Sequence, residues 1–167
     1  MSLKKLISSY TRYNHWANEK MTQWLETLER NLLYKETPSS FGSIDLTLQH
    51  MNHAQNFWFA IITGTDVAKL DETIKLNAVD IVIDELLAGS QRMLDKFTTY
   101  TEEELSTQVP SQDMMQSRYD YILHAINHNS YHRGQIVTMI RCLGLVGNVP
   151  AMDYEVFLWT GRASKDL

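Results

Sequence analysis

A repeat of apolar residues at steps of three and four governs what this chain can become. Leu3, Leu6, Tyr10, Tyr13, Ala17, Met21, Trp24 and Leu28 form one stripe, with the period of an α-helix rather than a strand. A second stripe, Leu46, His50, His53, Phe57 and Ile61, is bracketed by Ser43, an N-cap residue with Asp45 in the turn behind it, and by Gly64, a C-terminal stop. Val82, Leu86, Met93 and Phe97 mark a third helix from Ala78 to Phe97, with Gly89 a flaw inside it. The fourth starts at Ser117, whose spacing to Asp120 resembles a capping box, and stops at Gly144. Its stripe is Ile122, Ala125, Asn129, His132, Ile136, Met139 and Leu143.

The punctuation agrees with that count of helices. Pro38, Pro110 and Pro150 all fall in polar stretches between stripes. Residues 99 to 116 are irregular, with an acidic turn at Glu102, Glu103 and Glu104, then an extended stretch or short hairpin from Thr107 to Met115. A last short helix, Tyr154 to Gly161, docks through Phe157 and Leu158. The expected fold is all-α, a four-helix bundle with a short C-terminal helix, in one domain over residues 1–167.

Composition narrows the partners. A chain of 167 residues can bury a core without disulfides or a structural zinc. A net charge of -5 with scattered Lys and Arg leaves no footprint for nucleic acid, and no basic run or long apolar segment suits a membrane. The opening Met-Ser-Leu-Lys-Lys is followed by polar residues rather than an apolar signal core, and Cys142 is the only cysteine. The expected location is the cytoplasm.

Histidines interrupt the apolar stripes. His128 and His132, four apart on one helix, project from one face and can grip one metal ion as a pair. A site needs a third ligand. With Phe57 as reference, His50 lies about 20° to one side and His53 about 40° to the other, so both face the expected core and spacing does not choose between them. Burying several imidazoles together makes sense where a shared ion satisfies them. Other metal chemistries fail on spacing. No carboxylate stands three residues before any of these histidines, which rules out the di-iron pattern, and no His-Glu-x-x-His occurs. Cys142 lies about 15 Å along the helix from His132, too far to share an ion.

The run His128-Asn-Ser-Tyr-His132-Arg-Gly-Gln135, the stretch Leu48-Gln-His50 with Ala54 and Trp58, and the opening Tyr13-Asn14-His-Trp16-Ala17-Asn18 resemble the DinB/YfiT-like family of metal-binding four-helix bundles. Val149-Pro150-Ala-Met-Asp153 resembles that family's C-terminal signature. The resemblance spans nearly the whole chain, and the family is unrelated to the DNA polymerase sharing the name. It implies metal ligands at His50, His128 and His132, an up-down-down-up bundle with a long crossover, and a homodimer. His53 and His124 become flanking or packing residues, and His15 faces solvent. Arg133 and Gln135 orient ligands or substrate, or bond between helices. Gly134 marks a close approach of a helix or ligand.

Ligand charge then sets the chemistry. Three neutral imidazoles leave a divalent ion with its full charge and an open position, which suits it to anions and to lowering the pKa of a thiol or water. Imidazole accepts zinc, nickel, iron or manganese alike, so the ion stays open. The resemblance implies a metal-dependent S-transferase that takes a small thiol and an electrophile. Hydrolysis at the same site, or a non-catalytic metal-binding role in stress response, are the alternatives.

Overall fold

The structure, a computed structural model, describes residues 2–66, 78–111, 113–145, 147 and 149–160. Four long helices carry it: α1 (Leu3–Glu26), α3 (Ile44–Thr63), α4 (Val79–Phe97) and α6 (Arg118–Cys142). Between and after them lie α2 (Arg30–Leu33), α5 (Glu102–Ser106), the strands β1 (Gln108–Ser111) and β2 (Met114–Ser117), and α7 (Tyr154–Trp159). No helix among the described residues is long and apolar enough to cross a membrane.

Side-chain pairs give the helix directions. Asn14 meets Asn129 and Asn18 meets Arg133, so α1 and α6 run parallel. Thr47 meets Met139, Gln55 meets Asn129 and Trp58 stacks on Tyr121, so α3 runs against α6. Asn52 meets Glu85 and Asn56 meets Arg92, which sets α4 parallel to α3. The order is up-down-down-up. Both α1 and α3 pack on α4 and α6, which places these two successive long helices across a diagonal.

The helix ends follow the local chemistry. The Ser43 hydroxyl accepts from the Leu46 N–H at 3.1 Å, and Gly64 ends α3 at φ 73°, a left-handed conformation that costs glycine nothing. The start of α6 departs from expectation: Ser117 takes the N-cap position without a side-chain capping bond, and its hydroxyl instead accepts from Gln108 Nε2 across the hairpin at 2.9 Å. The capping box forms earlier. The Thr101 hydroxyl accepts from Glu104 N–H while Glu104 Oε2 accepts from Thr101 N–H, and the acidic run becomes the first turn of α5 instead of a bare turn. The stretch from Thr107 to Met115 is a hairpin in antiparallel register, Gln108 opposite Ser117 and Ser111 opposite Met114. The last helix ends at Trp159, and Gly161 lies outside the described residues.

The interior is built in two apolar clusters. One gathers Ile7, Trp16, Ile62, Phe97, Ile122 and Phe157; the other gathers Met21, Leu25, Leu48, Leu86, Ile136 and Ile140. A belt of buried polar side chains crosses the bundle: Asn14, Asn18, Asn52, Gln55, Asn129 and Arg133. Gly89 belongs to this belt. Its missing side chain makes room for Gln55, whose Nε2 donates to the Leu86 carbonyl at 3.1 Å where a Cβ on Gly89 would overlap it.

Candidate metal centre

His50 from α3 and His128 and His132 from α6 converge. His50 Nε2 and His128 Nε2 are 3.1 Å apart, His128 Nε2 and His132 Nε2 3.2 Å, and one nitrogen from each ring lies within 4.8 Å of the others. Imidazole nitrogens at about 2.0–2.1 Å from a shared tetrahedral zinc stand about 3.3 Å apart, so the two spacings about His128 match those around a common ion. A hydrogen bond would not satisfy the trio as well, because His128 Nε2 faces two nitrogens and carries at most one proton.

The sequence places these rings for simple reasons. The four-residue step from His128 to His132 keeps both on the α3-facing side of α6, and the antiparallel course of α3 brings His50 opposite them. His132 is buried, while His50 and His128 are half-buried, so the cluster is reached from one side. Behind it, His132 Nδ1 lies 2.7 Å from Gln135 Oε1. With that oxygen as acceptor, Nδ1 carries the ring proton and Nε2 turns its lone pair to the cluster.

All three imidazoles are held as bases. Burial pushes the His128 pKa down to about 4, helped by the neighbouring His132, His50 and His124. Burial also lowers His50, with His132 and His53 adding to it. Burial lowers His132, against an opposing pull from Gln135. Neutral rings at pH 7 are what a metal requires of histidine.

Phe41 and Tyr131 complete the surroundings; Tyr131 lies inside the α6 motif, whereas nothing in the sequence marks Phe41. The Phe41 ring stacks on His50 with centroids 4.2 Å apart and leans on His132 at 5.7 Å. Its loop position has no periodicity to betray it. Tyr131, exposed on α6, meets His132 edge-on at 5.1 Å. A hollow of about 370 Å³ opens on the far side of Tyr131 and Gln135, lined also by Pro38, Ser39, Ser40 and Met139; none of the three histidines lines it.

The other expectations divide. His53 does not face the core but is exposed, as is Leu46, and no residue of the expected α3 stripe is buried: the interior face of α3 is the opposite one, carrying Ile44, Leu48, Met51 and Gln55. His124 is also exposed and lies edge-on to Trp58 at 4.5 Å. His15 is not solvent-facing: it is half-buried, with Nδ1 2.8 Å from the Ser90 hydroxyl of α4. Arg133 turns away from the cluster and donates to Asn14 and Asn18 of α1, a helix-to-helix role. Gly134 marks no close approach, since nothing comes within 4 Å of a Cβ built there.

Comparison with known proteins agrees with this picture. A family model described as "DinB family" matches residues 1–165. "Protein DinB" of Bacillus subtilis (strain 168) is 28% identical over 163 residues, covering 92% of this chain and 94% of its own length. A DinB-like protein of Bacillus subtilis, solved at 2.30 Å resolution, superposes with a TM-score of 0.64 at 15% identity over 88% of this chain and 96% of that one. A DinB-like protein from Bacillus cereus ATCC 10987 gives a TM-score of 0.58 at 16% identity over 81% and 91%. Likeness at that identity speaks for the fold alone.

Proposed function

The chain belongs to the DinB family, and from that premise we propose that His50, His128 and His132 hold one divalent metal ion per subunit in an enzyme that activates a small thiol for S-transfer to an electrophile. The observation that carries this reading is the convergence of three neutral imidazole nitrogens from two helices. Bound by three uncharged ligands, a divalent ion keeps its full charge and lowers the pKa of a thiol or water at its open side. The surrounding residues divide the remaining work. Gln135 fixes the tautomer and tilt of His132, and Phe41 shields one face of His50 from water. His53 and His124, exposed near the cluster, can take up a proton that a thiol releases. The reading also places the enzyme in the cytoplasm as a homodimer.

The test is metal analysis of protein purified without an affinity tag, followed by a screen of cysteine, glutathione, bacillithiol and mycothiol against a generic electrophile. About one ion per subunit and conjugation with at least one thiol are expected. Stripping the ion should leave the helical circular dichroism signal in place, because the two apolar clusters hold the bundle. Intact folding with no thiol turnover would move the assignment to hydrolysis at the same site. Loss of the fold on chelation would make the ion structural and the protein a non-catalytic metal binder.

A further inference from the structure

Arg133 is buried to 3% exposure, yet no carboxylate among the described residues pairs with it. Its Nη1 donates to Asn14 Oδ1 at 3.1 Å and Asn18 Oδ1 at 2.8 Å. Its Nη2 donates to the Ser130 hydroxyl at 2.8 Å and, over a long 3.4 Å, to the Tyr13 hydroxyl. These partners are all neutral, so the charge is solvated but not balanced. A buried guanidinium is costly without a counter-charge, and its planar fork is matched to a carboxylate.

The guanidinium adjoins a cavity of about 480 Å³ between α1, α6 and the segment before α7. Tyr13 and Ser130, the partners of Nη2, line this cavity, whereas Asn14 and Asn18, the partners of Nη1, do not. The edge facing the cavity is therefore the Nη2 side, which in a planar guanidinium is also the side of the Nε–H. Nε has no hydrogen-bond partner among the described residues. Nε is thus a free donor on the Nη2 side, and an anion that displaces the long Tyr13 bond would meet Nε and Nη2 at the spacing of two carboxylate oxygens. Val137, Pro150 and Met152 supply an apolar wall to the same space, and Arg141 adds a second positive charge at its rim. Its volume is that of a pocket for an organic molecule rather than a bare ion.

We propose that this cavity binds an organic carboxylate with an apolar body, held side-on by Arg133 Nε and Nη2, at a site separate from the histidine cluster. On α6, Arg133 is turned about 100° from His132, and Ser130, Val137 and Arg141 lie farther round still, so the two sites occupy different faces of one helix. The Tyr13 hydroxyl, released from its long bond, is placed to donate to the anion. Asp153 also lines the cavity and is the one group there that opposes an anion.

Benzoate is the probe, and benzamide, its neutral near-isostere, is the control. The readout is the NMR signal of the Arg133 side-chain Nε–H, in protein as purified and in metal-stripped protein. Benzoate should shift that signal saturably in both, and benzamide and inorganic phosphate should bind at least tenfold more weakly. Asp153→Asn should tighten benzoate several-fold, Tyr13→Phe should weaken it several-fold, and Arg133→Lys should weaken it tenfold or more. Should Arg133→Lys fail to fold, the other two variants still decide. Equal binding of benzamide or phosphate overturns the proposal, as does a benzoate response that disappears with the metal. So does Asp153→Asn if it shifts the Arg133 signal without ligand and leaves benzoate no tighter, because Asp153 would then be the counter-ion.

Discussion

Gln135 stands one helical turn beyond His132 and holds its Nδ1 at 2.7 Å, so the ring that reaches the cluster through Nε2 is aimed from behind by its own helix. Removing that hold should loosen the metal without disturbing the bundle. Gln135→Leu is expected to lower metal affinity about 10- to 100-fold in a chelator competition. An unchanged affinity would mean that packing against Phe41 and Tyr131 alone orients the ring.

The ligand set makes a sharper prediction. His50→Ala, His128→Ala and His132→Ala should each lose the ion, whereas His53→Ala and His15→Ala should keep it, as measured by elemental analysis of untagged protein. His53 is the informative control, since it shares α3 with His50 but is exposed. Full metal content in all three cluster variants would refute the assignment.

Acidification should weaken the metal-free fold within a defined window. The three imidazoles have pKa values below their ordinary 6.5, His128 down to about 4. Between those values the unfolded chain binds more protons than the folded one, so stability rises with pH across the window and is lost as pH falls through it. Discounted for solvent screening, His128 contributes about 1–2 kcal/mol of this. The urea midpoint of chelated protein should drop from pH 7 to pH 4.5, and His128→Gln should flatten the slope. An identical slope in that variant would count against a strained neutral cluster.

Two glycines in long helices should respond in opposite directions to alanine. At Gly89 the new methyl group would displace Gln55 from the Leu86 carbonyl, and the lost buried bond outweighs the gain in helix propensity, for a net loss of about 1 kcal/mol. At Gly134 the space is open, so Gly134→Ala should stabilise by about 0.5–1 kcal/mol. Thermal unfolding of the two variants beside the parent checks both signs.

Helix α3 was legible from the end signals of Ser43 and Gly64, its expected stripe lying opposite its buried face, whereas α1, α4 and α6 were legible because burial imposes a period that composition cannot hide. The histidine pair on α6 was legible for the same reason. Its third member was not fixed by spacing: His50 and His53 sit at similar angles on α3, and the packing beside α6 leaves His50 half-buried and His53 exposed. Family likeness pointed to His50. Phe41 escaped notice because a loop has no period; Arg133 was named as a residue bonding between helices, but its partners Asn14 and Asn18, on a helix remote in sequence, were not. Gly134 was misread since a glycine in a helix reports only that no side chain is there, not that something needs the room.

The polar belt has one more consequence, which concerns alignment. Apolar ridges alone allow one helix to slide past another by a turn, about 5.4 Å, with modest loss of contact. Here such a slip of α6 along α1 would carry Arg133 off Asn14 and Asn18 into an apolar layer, and the same slip against α3 would part Asn129 from Gln55. The belt works as a key in a slot: it indexes α6 to a single setting, and that setting is the one in which His128 and His132 come level with His50.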